Sequence, residues 1–263
     1  MVQNSSQKRS ITKYINGKFE VMEDAVATEF PITIHINGEE FATIVCTPTH
    51  LDELVIGFLA SEGVIYFRDD IKDLQIDKRL GFAYVMLKTK IQLNQRYYSK
   101  RFIGSCCGKS RQFYFQNDVR TAKTSMSKTT IKANDCLNLM NRMQENSIMF
   151  KNTGGVHNAA LCTPSKLIVD RTDIGRHNTL DKLYGYSILE KIHVRDKIIV
   201  FSGRISSEVL TKVAKIGVGI ILSKSAPTDL AIQLAEDLNI TTVGFIRGQS
   251  FNVYSHAERI TNR

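Results

Sequence analysis

The feature that most constrains this chain is a run of alternating helix and strand patterns in its second half. Apolar spacing predicts helices over 178–189, 207–215 and 228–238, and short apolar runs predict strands over 198–201, 219–222 and 242–246. Strands that alternate with helices in this way build an α/β layer around a mainly parallel sheet. Two more strands, near 156–162 and 166–170, precede the run. Before them, Cys136, Leu137, Leu139, Met140 and Met143 mark a helix.

The first half reads differently. Ile32-Thr33-Ile34-His35-Ile36 and Phe41-Ala42-Thr43-Ile44-Val45 flank Asn37-Gly38, a hairpin signal because both turn positions need positive φ. Pro48 opens a helical pattern over 49–61, with Leu51, Leu54, Val55, Phe58 and Leu59 on one face and Gly63 as its stop. Another strand follows at 82–87. The polar stretch 1–13 reads as a flexible terminus, and 121–132, rich in Ser, Thr and Lys, as a linker or exposed arm. The predicted organisation is a flexible terminus at 1–13, an α+β unit at 14–132, and an α/β unit at 133–263.

Composition limits the function classes. No apolar run approaches the length needed to span a bilayer, and the N-terminus lacks the apolar core of a secretory signal, so a cytoplasmic chain without membrane contact is expected. Five irregularly spaced cysteines argue against a disulfide framework and for reduced thiols. A net charge of +9 favours an anionic ligand. The basic residues are dispersed, without the pattern of a nucleic-acid-binding module, so no nucleic-acid partner is expected.

Four polar loops in the second half share one design: Asp173-Ile174-Gly175-Arg176-His177-Asn178, Ser202-Gly203-Arg204-Ile205-Ser206-Ser207-Glu208, Ser223-Lys224-Ser225-Ala226-Pro227-Thr228 and Arg247-Gly248-Gln249-Ser250. Ligands of open α/β sheets bind beyond the carboxyl ends of the strands, where helix N-termini offer free N–H groups to anions. Arg204, Lys224 and Arg247 add positive charge there. Taken singly, Ser206, Ser207 and Thr228 read as helix caps and the arginines as solvated charge. Taken together, the loops describe a site for a phosphate-bearing ligand. None matches a P-loop or a dinucleotide fingerprint.

A second candidate is Gly104-Ser105-Cys106-Cys107-Gly108-Lys109-Ser110-Arg111. Lys109 and Arg111 favour a thiolate, which is the nucleophilic form, and the glycines let the backbone bend. The alternatives are inert packing or metal ligation, the latter without a second Cys or His pair nearby. Of the histidines, His35 and His193 read as structural or exposed, while His157 and His177 lie in glycine-containing loops where they could serve a site. His256-Ala257-Glu258 matches the H-x-E of zinc deaminases, but the required P-C-x-x-C cannot follow it.

The loops Asp173-Ile174-Gly175-Arg176-His177-Asn178, Ser202-Gly203-Arg204-Ile205-Ser206-Ser207-Glu208 and Lys224-Ser225-Ala226-Pro227-Thr228, with Glu29-Phe30-Pro31-Ile32-Thr33-Ile34, Cys46-Thr47-Pro48, Gly57-Phe58-Leu59-Ala60-Ser61-Glu62-Gly63, Thr153-Gly154-Gly155-Val156-His157, and Gly244-Phe245 through Phe251-Asn252-Val253-Tyr254, strongly resemble the formate dehydrogenase accessory sulfurtransferase family (FdhD/NarQ) from about Glu29 to Ile260. The resemblance implies a sulfur carrier and a sulfurtransferase activity. Such a protein takes sulfur from a cysteine desulfurase as a cysteine persulfide. It passes that sulfur to the molybdenum bis-guanine-dinucleotide cofactor, a bound substrate rather than a permanently held metal, before insertion into formate dehydrogenase. The resemblance also implies a cytidine deaminase-like three-layer second half without the zinc site, and a homodimer. Some relatives carry C-x-x-C followed by glycine. Alignment on Gly108-Lys109 matches Cys107 to the second of those cysteines and makes it the persulfide carrier, with Cys106 an assistant or bystander. Phe251, Asn252, Val253, Tyr254, Ser255 and His256 match the family's cofactor-contacting stretch. The rival readings are a cofactor chaperone that moves no sulfur, and a nucleotide-binding redox switch.

Overall fold

The computed structural model describes residues 4–89, 101–103, 122 and 124–262. The first half contains β1 (Ser6–Ile15), β2 (Lys18–Ala27), β3 (Phe30–Ile36), β4 (Glu39–Cys46), α1 (Leu51–Ser61), β5 (Ile71–Asp77), β6 (Phe82–Leu87) and β7 (Arg101–Ile103). The last three strands join β3 and β4 in a five-stranded sheet of order β5-β6-β3-β4-β7. Strand side chains alternate between faces, so Ile32, Ile34 and Ile36 point one way and are fully buried with Ile44, Ala83 and Val85. Helix α1 packs its Leu51, Leu54, Val55, Phe58 and Leu59 into the same cluster. Asn37 and Gly38 turn the β3–β4 hairpin with φ of 50° and 91°.

The second half contains β8 (Ile131–Lys132), α2 (Ala133–Asn146), α3 (Ile148–Thr153), β9 (His157–Cys162), β10 (Leu167–Asp173), α4 (Arg176–Leu189), β11 (Ile198–Phe201), α5 (Ser207–Ile216), β12 (Ile220–Ser223), α6 (Asp229–Asp237), β13 (Thr241–Arg247), β14 (Ser250–Ser255) and β15 (Ile260–Thr261). Six strands form a sheet of order β10-β9-β11-β12-β13-β14. Both its faces are covered. Ala159, Leu161, Ile199, Phe201 and Ile221 pack against α4, α5 and α6. The alternating neighbours Ala160, Cys162, Ile198, Val200, Ile220 and Leu222 pack against α2. The result is three layers, α/β/α, as expected.

Three expectations need correction. The sheet is mixed rather than mainly parallel: β11–β12 and β12–β13 are parallel, while β9–β10, β9–β11 and β13–β14 are antiparallel. Parallel neighbours need a crossover, and only the central strands have one; the outer pairs are joined by short turns. Second, the terminus expected to be flexible at 1–13 contains most of β1, which pairs with β2 along its whole length. Asn16 and Gly17, with φ of 49° and 87°, make the same kind of turn as Asn37-Gly38. Third, the tail of the predicted linker lies on the second unit rather than forming an exposed arm. Ser125 N–H donates to Leu238 O at 2.8 Å, Ser125 and Ser127 are buried, and β8 pairs with β15.

The two halves are joined by the crossing of α1 and α4. A Cβ on Gly57 would lie 1.7 Å from Asp181 O, and one on Gly185 would lie 1.9 Å from Glu53 O, so backbones approach where only glycine fits. Ion pairs surround the crossing. Arg171 grips both carboxylate oxygens of Glu53 and lies over the Tyr186 ring. Asp181 accepts from Ser61 Oγ at 2.7 Å and pairs with Lys212. Among the described residues, no helix is long and apolar enough to cross a membrane.

Candidate functional site

Strand directions bring the polar loops to one edge. Strand β9 runs antiparallel to both β10 and β11, so the end of β10, the start of β9 and the ends of β11 and β12 share that edge. The β13–β14 turn, where Arg247 pairs with Ser250, lies there too. All four loops singled out in the sequence therefore lie along that edge, together with Thr153-Gly154-Gly155-Val156-His157.

The loops are tied to one another. Ile205 N–H donates to Ala226 O and Thr228 N–H to Ile205 O, at 3.1 and 2.9 Å. Ser223 Oγ donates to Gly203 O at 2.7 Å and accepts from Ser225 N–H. Ser202 Oγ accepts from Asn158 N–H at 2.9 Å. Gly203 is required by packing, since a Cβ there would lie 2.9 Å from the Phe201 ring and 3.4 Å from His157 Nδ1. Ser206 caps α5 by accepting from Val209 N–H, but Thr228 makes no side-chain cap on α6.

Behind the loops lies a buried charge pair that sequence reasoning missed. Asp173 and Lys182 have no exposed side-chain surface and meet at 2.6 Å. Asp173 Oδ2 also accepts from Thr47 N–H and Thr47 Oγ1–H, and Oδ1 from Gly175 N–H and Asn178 Nδ2. Lys182 Nζ donates further to Thr47 Oγ1 at 2.9 Å and Thr172 O at 3.2 Å. A buried carboxylate is tolerated when its countercharge and its lone pairs are this fully met. The pair thus pins the Thr47 loop of the first unit to the start of α4, one wall of the loop edge. The available signal was Cys46-Thr47-Pro48 beside Asp173, but nothing in the spacing joined them.

His157 faces this wall. Burial, then the Arg176 guanidinium, pushes its pKa below the ordinary 6.5, with Asp173 opposing, so the ring is neutral at pH 7. His177 Nε2 lies 3.1 Å from Glu208 Oε2. Arg204 and Arg247 are exposed, and Arg247 lies over the Phe245 ring. Lys224 Nζ donates to Gln144 Oε1 at 2.6 Å, which ties it to α2.

The stretch from Phe251 to His256 does not stay together as a site. Phe251 and Val253 pack on the α2 side. Tyr254 lies against Gly244, where a Cβ would come within 3.1 Å of its ring, and its hydroxyl accepts from Asn252 Nδ2. Ser255 is buried, accepting from Thr242 N–H and donating to Ile240 O. His256 lies beside Glu236 O. At about 3.3 Å per residue, the end of β14 is roughly 17 Å from its start, so Ser255 and His256 sit at the opposite sheet edge from Arg204, Lys224 and Arg247. Cys106 and Cys107 lie outside the described residues. The other three thiols are buried: burial raises Cys46 above the ordinary thiol range, and Cys136 and Cys162 to about 12 each. Among the described residues, no group of three or more His, Cys, Asp or Glu could hold a metal ion.

A three-layer α/β chain with polar, basic loops along one sheet edge belongs to the open-sheet α/β class, in which ligands bind beyond the strand ends. Comparison with known sequences makes the class specific. The chain belongs to the FdhD/NarQ family, whose model matches residues 27–261. It is 62% identical over 260 residues to a Bacillus licheniformis protein named sulfur carrier protein FdhD, with 99% of each chain covered. Proteins of the same name from Geobacillus kaustophilus and Bacillus subtilis are 61% and 62% identical, covering 97% and 96% of both chains. A Desulfotalea psychrophila crystal structure, provisionally described as a formate dehydrogenase accessory protein, shares the fold with a TM-score of 0.82 at 23% identity, over 98% of this chain and 100% of that one.

Proposed function

We propose that this chain carries sulfur for the maturation of formate dehydrogenase, with Cys107 as the carrier. The observation that supports this most directly is the 62% identity, over 99% of both chains, to a protein named as a sulfur carrier. In the first transfer, the Cys107 thiolate attacks the terminal sulfur of a cysteine desulfurase persulfide. The S–S bond to the donor cysteine breaks, the donor leaves as a thiolate, and Cys107 holds the sulfur as a persulfide. Lys109 and Arg111 flank the thiol and favour its ionised form. Cys106 assists or stands by.

The acceptor would be the molybdenum bis-guanine-dinucleotide cofactor, a substrate here: the S–S bond of the Cys107 persulfide would break, Cys107 would leave as a thiolate, and the reduced metal would supply the two electrons that turn the outer sulfur into a sulfide ligand, before insertion into formate dehydrogenase. Its phosphates suit the loop edge. Arg204 and Arg247 are exposed and supply charge to a ligand, Lys224 adds charge from the loop after β12, and the start of α5 supplies backbone N–H groups. Phe251, Asn252, Val253 and Tyr254 flank the same edge from β14. For Ser255 and His256 we propose an indirect part, holding the far end of β14 in register. The Asp173–Lys182 pair keeps the edge rigid. The chain works in the cytoplasm in this reading.

The test is formate dehydrogenase activity in cells that lack the native gene and express either wild type or Cys106→Ala/Cys107→Ala. Activity restored by the double variant would show an escort that binds cofactor and moves no sulfur.

A further inference from the structure

A cleft of about 680 Å³ opens where the first unit meets the second, at the sheet edge opposite the polar loops. Residues 190–197 and 217–219 lead into the starts of β11 and β12 there, whereas the loops follow the ends of those strands. One wall is the turn Tyr66-Phe67-Arg68-Asp69-Asp70 that follows α1, and the other is made by the ends of α4 and α5. Both walls are held in place. Asp70 Oδ2 accepts from Tyr66 N–H and Phe67 N–H at 2.7 and 2.9 Å. Lys215 Nζ donates across the junction to Ser61 O at 2.7 Å. The volume falls within the roughly 300–1,000 Å³ of ligand-binding clefts.

The lining identifies the occupant. Tyr184, Ile188 and Ile192 form an apolar floor and are only partly buried against the cores behind them. At the mouth, Tyr66, Phe67 and Met126 are 63%, 70% and 76% exposed. A pocket for a small molecule encloses most of its ligand. Exposed aromatic rings, a methionine and arginines around an apolar floor are instead the make-up of a protein interface. The charge is one-sided. Arg68, Lys191, Arg195 and Lys215 line the cleft against Asp69 and Asp70, and Asp70 is spent on the Tyr66-Phe67 backbone. Lys191 and Arg195 are exposed, and the nearby Asp196 pairs with Lys197 and His193 rather than with them. A nucleic acid would draw its affinity from a longer run of phosphate contacts. Two cations beside an apolar floor instead match carboxylates that flank an apolar side chain.

We infer that this cleft is a docking groove for an acidic peptide segment of a partner protein. An apolar side chain of that segment sits between Phe67 and the Tyr184-Ile188 floor, and its carboxylates meet Lys191 and Arg195. Because the walls come from both units, the bound segment bridges them, and because the groove lies at the far sheet edge, it leaves the polar loops open. This inference does not depend on the sulfur-carrier reading.

The experiment uses the full chain and the fluorescence anisotropy of a labelled peptide that carries Leu-Phe between runs of Glu. Wild type should bind it saturably, and about tenfold or more tightly than the same peptide with Ser-Ser in place of Leu-Phe. Phe67→Ser should weaken binding by about tenfold or more, with an unchanged circular dichroism spectrum. Lys191→Glu/Arg195→Glu should weaken it as much and prefer a version flanked by Lys, which also shows that this variant is folded. No saturable binding to wild type, equal binding of the Ser-Ser peptide, unchanged binding by either variant, or a charge-reversed variant without that preference would each overturn the inference. So would a single-stranded oligonucleotide that wild type binds more tightly than the peptide and that Lys191→Glu/Arg195→Glu no longer binds.

Discussion

Replacing Lys182 with methionine leaves the Asp173 carboxylate fully buried, hydrogen-bonded to Thr47, Gly175 and Asn178 but without its countercharge. Removing one member of a buried pair costs about 3–5 kcal/mol, because the other charge stays desolvated. Total stability is about 5–15 kcal/mol, so the loss is a large fraction of it. At roughly 2–4 °C per kcal/mol for a chain of this size, Tm should fall by about 6–20 °C. Asp173→Asn should cost a similar amount, since it strands a buried ammonium on Thr47 and Thr172 O. Asp173→Asn/Lys182→Met removes both charges and should recover most of the loss. Thermal and urea unfolding followed by circular dichroism measure all four proteins. A Lys182→Met loss below about 1 kcal/mol, or a double variant no better than the worse single one, would refute the assignment of this pair as the pin between the two units.

Gly57→Ala should destabilise by about 3 kcal/mol or more, because the added methyl meets the Asp181 backbone rather than a movable side chain; denaturant midpoints check this. The folded pKa of His157 lies below its unfolded value near 6.5. The unfolded chain therefore binds the proton first, and this contribution to stability, complete above that pH, should fall as pH drops through the folded pKa. Unfolding of His157→Gln between pH 5 and 7 should show a shallower slope. Arg204→Glu or Arg247→Glu should weaken binding of GDP, used as the probe, by about tenfold or more, read by calorimetry. Native thiol labelling should leave Cys46, Cys136 and Cys162 unmodified, since they are buried and stay protonated, and reach them after unfolding.

Much of the fold can be read from apolar periodicity. The strands at 82–87 and 198–201 coincide with β6 and β11, because each is a short apolar run between polar turns. The β1–β2 ribbon escaped although Asn16-Gly17 is the same signal as Asn37-Gly38. Its strands are exposed on both faces, so no burial pattern marks them. The sheet was misread as mainly parallel because helix-strand alternation describes only its central strands. Helix α4 hides its role for another reason: Asn178, Asp181, Lys182 and Ser187 are all buried, yet charged residues in a sequence read as solvated. Their partners, Thr47, Ser61 and Lys212 among them, come from distant segments. The placement of the four loops along one edge was legible, since each sits at a strand end. The separation of Ser255 and His256 from that edge was not, because it depends on β14 running antiparallel across the sheet.

Incubation with a cysteine desulfurase and cysteine, followed by peptide mass spectrometry without reductant, addresses the sulfur chemistry most directly. Wild type should gain one sulfur atom on the peptide that contains Cys107, and Cys107→Ala should gain none there. An unchanged gain in Cys107→Ala, or no gain in wild type beside a desulfurase that loads another acceptor, would contradict the account.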